Sequence, residues 1–209
     1  MRSLLNPDAP VMRFITKIAD SFLLNLLWFM FSLPIVTAGA ATTALFDISL
    51  KIVNDEDGAI LGGFINSFRS NFRTSTKTWL ILLAAEVVFA IDGYVLYHIH
   101  FANAFWTIMT ALYLVALAAY LIVLMYVFPL MACFENTSAA MIKNAFMVGM
   151  RFLVCTALQA CVYFLMLLIA VRFFTPILLL GEGLCALICS WLMNGIIKQL
   201  REKAQSRES

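Results

Sequence analysis

Asn25-Leu26-Leu27-Trp28-Phe29-Met30-Phe31-Ser32-Leu33-Pro34-Ile35-Val36-Thr37-Ala38-Gly39-Ala40-Ala41-Thr42-Thr43-Ala44-Leu45 is an apolar run cut by one proline and followed by small residues. Proline has no N–H and its ring clashes with the preceding helical turn, so Pro34 ends or kinks a helix. Ala38, Gly39, Ala40 and Ala41 then allow a second backbone to approach closely, as small residues do between membrane helices. The pattern predicts a membrane hairpin with Pro34 at its tip.

Composition points to the same solvent. Apolar residues make up 63% of the chain and charged residues 12%, with a mean hydropathy of +0.94, against roughly 45–50% and about 25% in soluble domains. A chain of 209 residues holds one bundle, of about five to six membrane segments at roughly 20 residues each. The fold expected is an all-α polytopic transmembrane helix bundle, a single domain over 1–209, with two amphipathic cytoplasmic helices. A net charge of +2 gives no footprint for nucleic acid, and the basic residues sit at span ends, where they report orientation.

Working outward from the hairpin, residues 1–10 carry Pro7 and Pro10 and read as an extended lead. Val11 to Leu33 forms the first membrane segment and 38–53 the second, which stops at the polar run Asn54-Asp55-Glu56-Asp57-Gly58. The apolar region runs past Pro34 without a small-residue cleavage site, so it is read as retained and not as a signal peptide. Arg2, Arg13 and Lys17 precede the hairpin and Lys51, Arg69, Arg73 and Lys77 follow it. A hairpin that crosses twice keeps both basic clusters in the cytosol; the alternative is one long kinked span, or a re-entrant hairpin.

Residues 58–74 place Phe64, Phe68 and Phe72 at four-residue spacing, with Arg69 and Arg73 elsewhere on the wheel, and read as an amphipathic cytoplasmic helix. Trp79 and the Tyr94/Tyr97 pair bracket the next span as interfacial anchors, and the turn 98–103 lacks Lys and Arg, which puts it outside. Ala104 to Met131 returns, closing at Phe128-Pro129; 136–148 is a second cytoplasmic helix; Arg151 to Val171 and Pro176 to Ile197 form the last hairpin; 198–209 is a cytoplasmic tail with a disordered tip. Both chain ends are thus expected in the cytosol of a multi-pass membrane protein. Asn66-Ser67-Phe68 with Arg73 echoes Asn144-Ala145-Phe146 with Arg151, which suggests either a parallel repeat of the two halves or two similar interfacial helices.

Few residues offer chemistry. Asp20 and Asp47 flank the hairpin at similar depth, as a proton or cation pair or as two carboxylates paired with Arg13, Lys17 or Lys51. Glu86 lies inside an apolar span, where an ionisable group faces a partner or a cavity; Arg172, Gln159 and Asn25 are candidate partners. Glu182, between Gly181 and Gly183, marks a helix break or a turn satisfied by Arg172. His98 and His100, with Asp92, lack a third placed metal ligand and read as loop residues. Cys133, Cys155, Cys161, Cys185 and Cys189 are odd in number, contain no Cys-x-x-Cys pair and read as free packing thiols. Phosphate-loop, zinc-protease and serine-hydrolase motifs are missing from the sequence, so no catalytic residue, metal or cofactor is assigned.

The run Asn25-Leu-Leu-Trp, then Leu33-Pro-Ile-Val-Thr37 with Gly39, the acidic turn and Phe64-x3-Phe68-Arg69-x-Asn71-Phe72 resemble the YesL-like family of small bacterial integral membrane proteins. That resemblance implies a multi-pass protein of unknown function, found mainly in Gram-positive bacteria and often encoded beside carbohydrate ABC uptake systems and their sensor kinases; it carries no catalytic residues. Two functions are therefore expected. One is an accessory or regulatory subunit docked on ABC permease subunits or a sensor kinase through Phe64, Phe68, Arg69, Phe72, Arg73, Asn144, Phe146 and Arg151. The other is a stand-alone small-solute or ion transporter that uses Glu86, Asp47, Asp20, Asn25, Gln159 and Glu182 as an intramembrane polar path, alone or as a homo-oligomer.

Overall fold

Pro34 does end a helix. The computed structural model describes residues 10–56, 58–98, 104–172 and 177–208. In it α1 (Pro10–Ser32) stops two residues before the proline, because the residue preceding a proline is pushed out of the helical region. A single 3-10 turn, Ile35–Thr37, reverses the chain into α2 (Ala38–Val53). Thr37 ties the reversal: its backbone N–H donates to the Pro34 carbonyl at 2.9 Å, and its hydroxyl donates to the Phe31 and Pro34 carbonyls at 2.7 and 2.8 Å.

The remaining elements are α3 (Ile60–His98), α4 (Ala104–Cys133), α5 (Ser138–Arg151), α6 (Leu153–Arg172) and α7 (Ile177–Glu208). Among the described residues there is no strand, and the chain is an all-α bundle. Five stretches are long and apolar enough to cross a membrane: Ile35–Val53, Ile60–His98, Ala104–Cys133, Leu153–Arg172 and Gly181–Lys203. Residues 1–9 and 99–103, which include Pro7 and His100, lie outside the described residues.

The centre of the bundle is α2, with α1, α3, α4 and α7 packed around it. Its side chains explain why. Gly39, Ala40, Ala41, Thr43 and Ala44 are all buried, so neighbouring backbones come close and dispersion contacts accumulate without large side chains. A Cβ on Gly39 would run into the Trp79 side chain and sit 2.9 Å from the Ser75 carbonyl, so only glycine lets α2 and α3 meet there. Thr43 completes the contact by donating to the Ser75 hydroxyl at 2.9 Å.

The contact between α2 and α3 fixes where the hairpin turn lies. The Trp79 indole N–H donates to the Ile35 carbonyl at 2.7 Å, so the turn after Pro34 abuts Trp79 and does not reach the far end of the span that follows it. The hairpin lies along the first half of α3, where Ser67, Ser75 and Thr78 give a buried, small-residue face. Beyond Leu82 most residues of α3 are exposed. That second half pairs instead with the first half of α4. The Tyr113 hydroxyl donates to the Phe89 carbonyl and the Tyr120 hydroxyl to the Leu82 carbonyl, each at 3.1 Å. Residues 83–98 and 104–119 thus form a two-helix arm that extends beyond the α2-centred core, which ends at Leu82, Tyr120 and Ile122.

Three boundaries also differ from expectation. The amphipathic stretch 58–74 is not a separate helix, because Ile60–His98 runs without a break into the span. The fourth helix passes through Pro129 to Cys133; Pro129 is buried in the bundle, whose packing holds the helix through the missing N–H. The stretch 198–208 continues α7 as helix instead of forming a loose tail, since Lys198, Gln199, Leu200, Arg201, Glu202 and Lys203 are good helix formers. After α2, Asn54 closes the helix through bonds from its backbone N–H and its side-chain amide to the Leu50 carbonyl, and Asp55 takes φ 56°, a left-handed value that Asp tolerates.

Candidate functional site

The candidate polar residues are scattered by the fold. Asn25 is buried, and its Oδ1 accepts the Gly183 backbone N–H at 3.0 Å, so it joins α1 to α7. This is the close approach that the Gly181-Glu182-Gly183 stretch serves. The helix runs unbroken through it, and the break expected at Glu182 does not occur. Glu182 is half-buried. Among the described residues it forms no ion pair with Arg172, which is exposed at the end of α6.

Asp47 is half-buried and bonded to Lys51 one turn on, at 2.9 Å. Asp20 is half-buried on α1; the neighbouring Lys17 turns to Asp55 at 2.8 Å. Gln159 is 1% exposed, and neither end of its amide has a hydrogen-bond partner among the described residues. Glu86 is exposed at the edge of the α3–α4 seam, on the side of α3 that carries Leu82 and Phe89 and near Tyr120, and among the described residues it has no hydrogen-bond or ion-pair partner. Pairing of Glu86 with Arg172, Gln159 or Asn25 is therefore not what the fold provides.

The aromatic residues expected to dock a partner divide the same way. Phe64 is fully buried and meets the Phe31 ring edge-on at 5.5 Å; Phe68 meets Phe31 at 4.9 Å. Both belong to the seam between α1 and α3, because Phe31 one turn before the hairpin tip reaches that face. Phe72, Arg69 and Arg73 remain exposed on α3. On α5, Asn144 is half-buried while Phe146 and Arg151 are exposed, and the Arg151 guanidinium lies 5.8 Å from the Phe152 ring centroid, within cation–π range. Where α3 continues straight after its Asn-small-Phe stretch, α5 ends at Phe152 and the chain restarts as α6. Cys185 and Cys189 are buried in α7, and among the described residues no cluster of His, Cys, Asp or Glu has the arrangement of a metal site.

A feature that sequence reasoning missed is a polar cleft of about 550 Å³ bounded by α2, the first half of α3 and the connection from α4 to α5. Asp47 and Lys51 form one wall, and Asn66, Ser67, Ser70, Asn71 and Thr74 form a second. Glu135 and Asn136 stand at the third side and are exposed, as are Asn66 and Ser70, so the cleft is open to the surface. The signal was present in the polar spacing of 66–74. Spacing alone gives the solvated side of an amphipathic helix, because nothing in one sequence says that a distant turn folds over it.

Residues 22–93, about a third of the chain, match the model of a family described as a protein of unknown function, DUF624. No curated protein and no solved structure matches the chain. The matched segment runs from the second half of α1 through α2 to residue 93 of α3, so it contains the Pro34 turn, Trp79 and Glu86.

Proposed function

We propose that the protein is a non-catalytic integral membrane subunit that docks a second membrane protein against its α3–α4 arm. The observation that carries this reading is Glu86, an exposed carboxyl side chain at the edge of the α3–α4 seam near Tyr120, with apolar side chains around the rest of the arm and no hydrogen-bond or ion-pair partner among the described residues. In hydrocarbon such a group is expensive, and a neighbouring helix that brings a cation or an amide relieves the penalty. The scatter of Asn25, Asp47, Asp20, Gln159 and Glu182 over separate seams supports association over conduction, since a conducting path needs its polar groups in one column.

The resemblance to proteins encoded beside carbohydrate ABC importers nominates the permease of such a system as the partner, with its sensor kinase as the second candidate, in the bacterial plasma membrane. The test is purification of the tagged full chain from native membranes in mild detergent, with Glu86→Leu in parallel. Co-purification of a permease with the wild type, lost in Glu86→Leu at unchanged melting temperature, is the expected result. Recovery of neither permease nor kinase, or equal recovery with both forms, contradicts it.

A further inference from the structure

We infer that the cleft between α2, the first half of α3 and the α4–α5 connection binds a small uncharged molecule rich in hydroxyl groups, such as a polyol or a monosaccharide. The volume of about 550 Å³ falls within the few-hundred to thousand Å³ of small-molecule sites. Its wall is unlike the usual apolar pocket, because most of its side chains end in an amide, a hydroxyl or a charge.

The charges argue against a charged ligand. An anion entering the cleft would face Asp47 and Glu135, while a cation would find Asp47 already bonded to Lys51 at 2.9 Å. What remains is hydrogen-bonding capacity. Ser67 lines the cleft with its hydroxyl oxygen closed off from solvent, so the side chains of α3 that can reach a ligand are Asn66, Ser70, Asn71 and Thr74 around it. Beside it, Asn71 donates to the Ser67 carbonyl at 3.2 Å, which leaves the amide oxygen as an acceptor. Ser70 donates its hydroxyl to the Ser67 carbonyl at 3.0 Å and keeps its oxygen as an acceptor, and the exposed Asn66 amide one turn away supplies donors, so α3 offers both kinds of group to the cleft. Several hydroxyls spread over one small molecule, each both donor and acceptor, can meet groups about 5–6 Å apart where a single carboxylate or ammonium would not.

The experiment is saturation-transfer NMR on the full chain in detergent with methyl glucoside, myo-inositol, choline and inorganic phosphate as probes. Transfer to methyl glucoside or inositol is expected, with affinity reduced about tenfold in Asn66→Leu and in the near-isosteric Thr74→Val, as for the loss of one good hydrogen bond. Lys203→Ala, remote on α7, should bind as the wild type does. Both cleft variants change groups that are not fully buried, and an unchanged melting temperature separates lost binding from lost fold. Absence of transfer to either neutral probe from the folded chain, equal transfer from the cleft variants, or preference for choline or phosphate overturns the inference.

Discussion

Asn25 and Gly183, 158 residues apart in the chain, are joined by a hydrogen bond of 3.0 Å from the glycine N–H to the asparagine Oδ1. The glycine is as important as the amide. A Cβ at 183 would lie 2.5 Å from the Ser21 carbonyl and 2.8 Å from the Asn25 Cβ, so α1 and α7 touch backbone to backbone. Asn25→Ala is expected to lower stability by about 1–2 kcal/mol, as for a lost interhelical hydrogen bond. Gly183→Ala should lose about 1–3 kcal/mol by forcing the helices apart, and the double variant less than the sum, because the two act at one contact. Thermal melts in detergent check all three.

The same reasoning applies to the central seam. Trp79→Phe keeps the ring against Gly39 but removes the bond to the Ile35 carbonyl; a loss of about 1 kcal/mol is expected. Gly39→Leu should be far worse, preventing α2 from seating on α3. Proteolysis of the folded chain reads the difference: Trp79→Phe is cut as the wild type is, and Gly39→Leu is cut within the 54–59 connection.

Gln159 predicts a gain. Its amide is buried with neither end bonded among the described residues, so Gln159→Leu, similar in size and apolar, should raise stability by about 1–3 kcal/mol. A lowered melting temperature would mean that a bound water or another group satisfies the amide.

Glu86→Leu should leave the melting temperature of the isolated chain unchanged, since the carboxylate touches no bonding partner among the described residues. Its effect is expected only on what co-purifies. A drop in stability without any partner present would place Glu86 in the bundle's own structure.

Much of this architecture was legible before any coordinates. The end of α1 at Pro34, the small-residue α2 and the polar stop at Asn54 all follow from rules that act within a few residues. What could not be read was register between distant elements. Phe64 and Phe68 have the spacing of an exposed amphipathic face, yet Phe31 packs on them. The polar positions from Asn66 to Thr74 have the spacing of a helix's solvated side, yet the α4–α5 connection stands over them and makes a cleft. Trp79 had the look of an interfacial anchor and is a hydrogen-bond donor to the hairpin turn. Periodicity tells which face of a helix differs from the rest, and only packing tells what that face meets.

The claim on which the rest stands is that the hairpin ends at Trp79 and the arm continues past it. Pulsed electron–electron resonance between nitroxides on exposed positions, placed in a cysteine-free background, measures this directly: Val36 with Leu80, and Val36 with Tyr97. Seventeen helical residues separate 80 from 97, about 26 Å along the axis. The account predicts a 36–97 distance longer than the 36–80 distance by on the order of 20 Å. A 36–97 distance equal to or shorter than 36–80 would put the hairpin alongside the arm and contradict it.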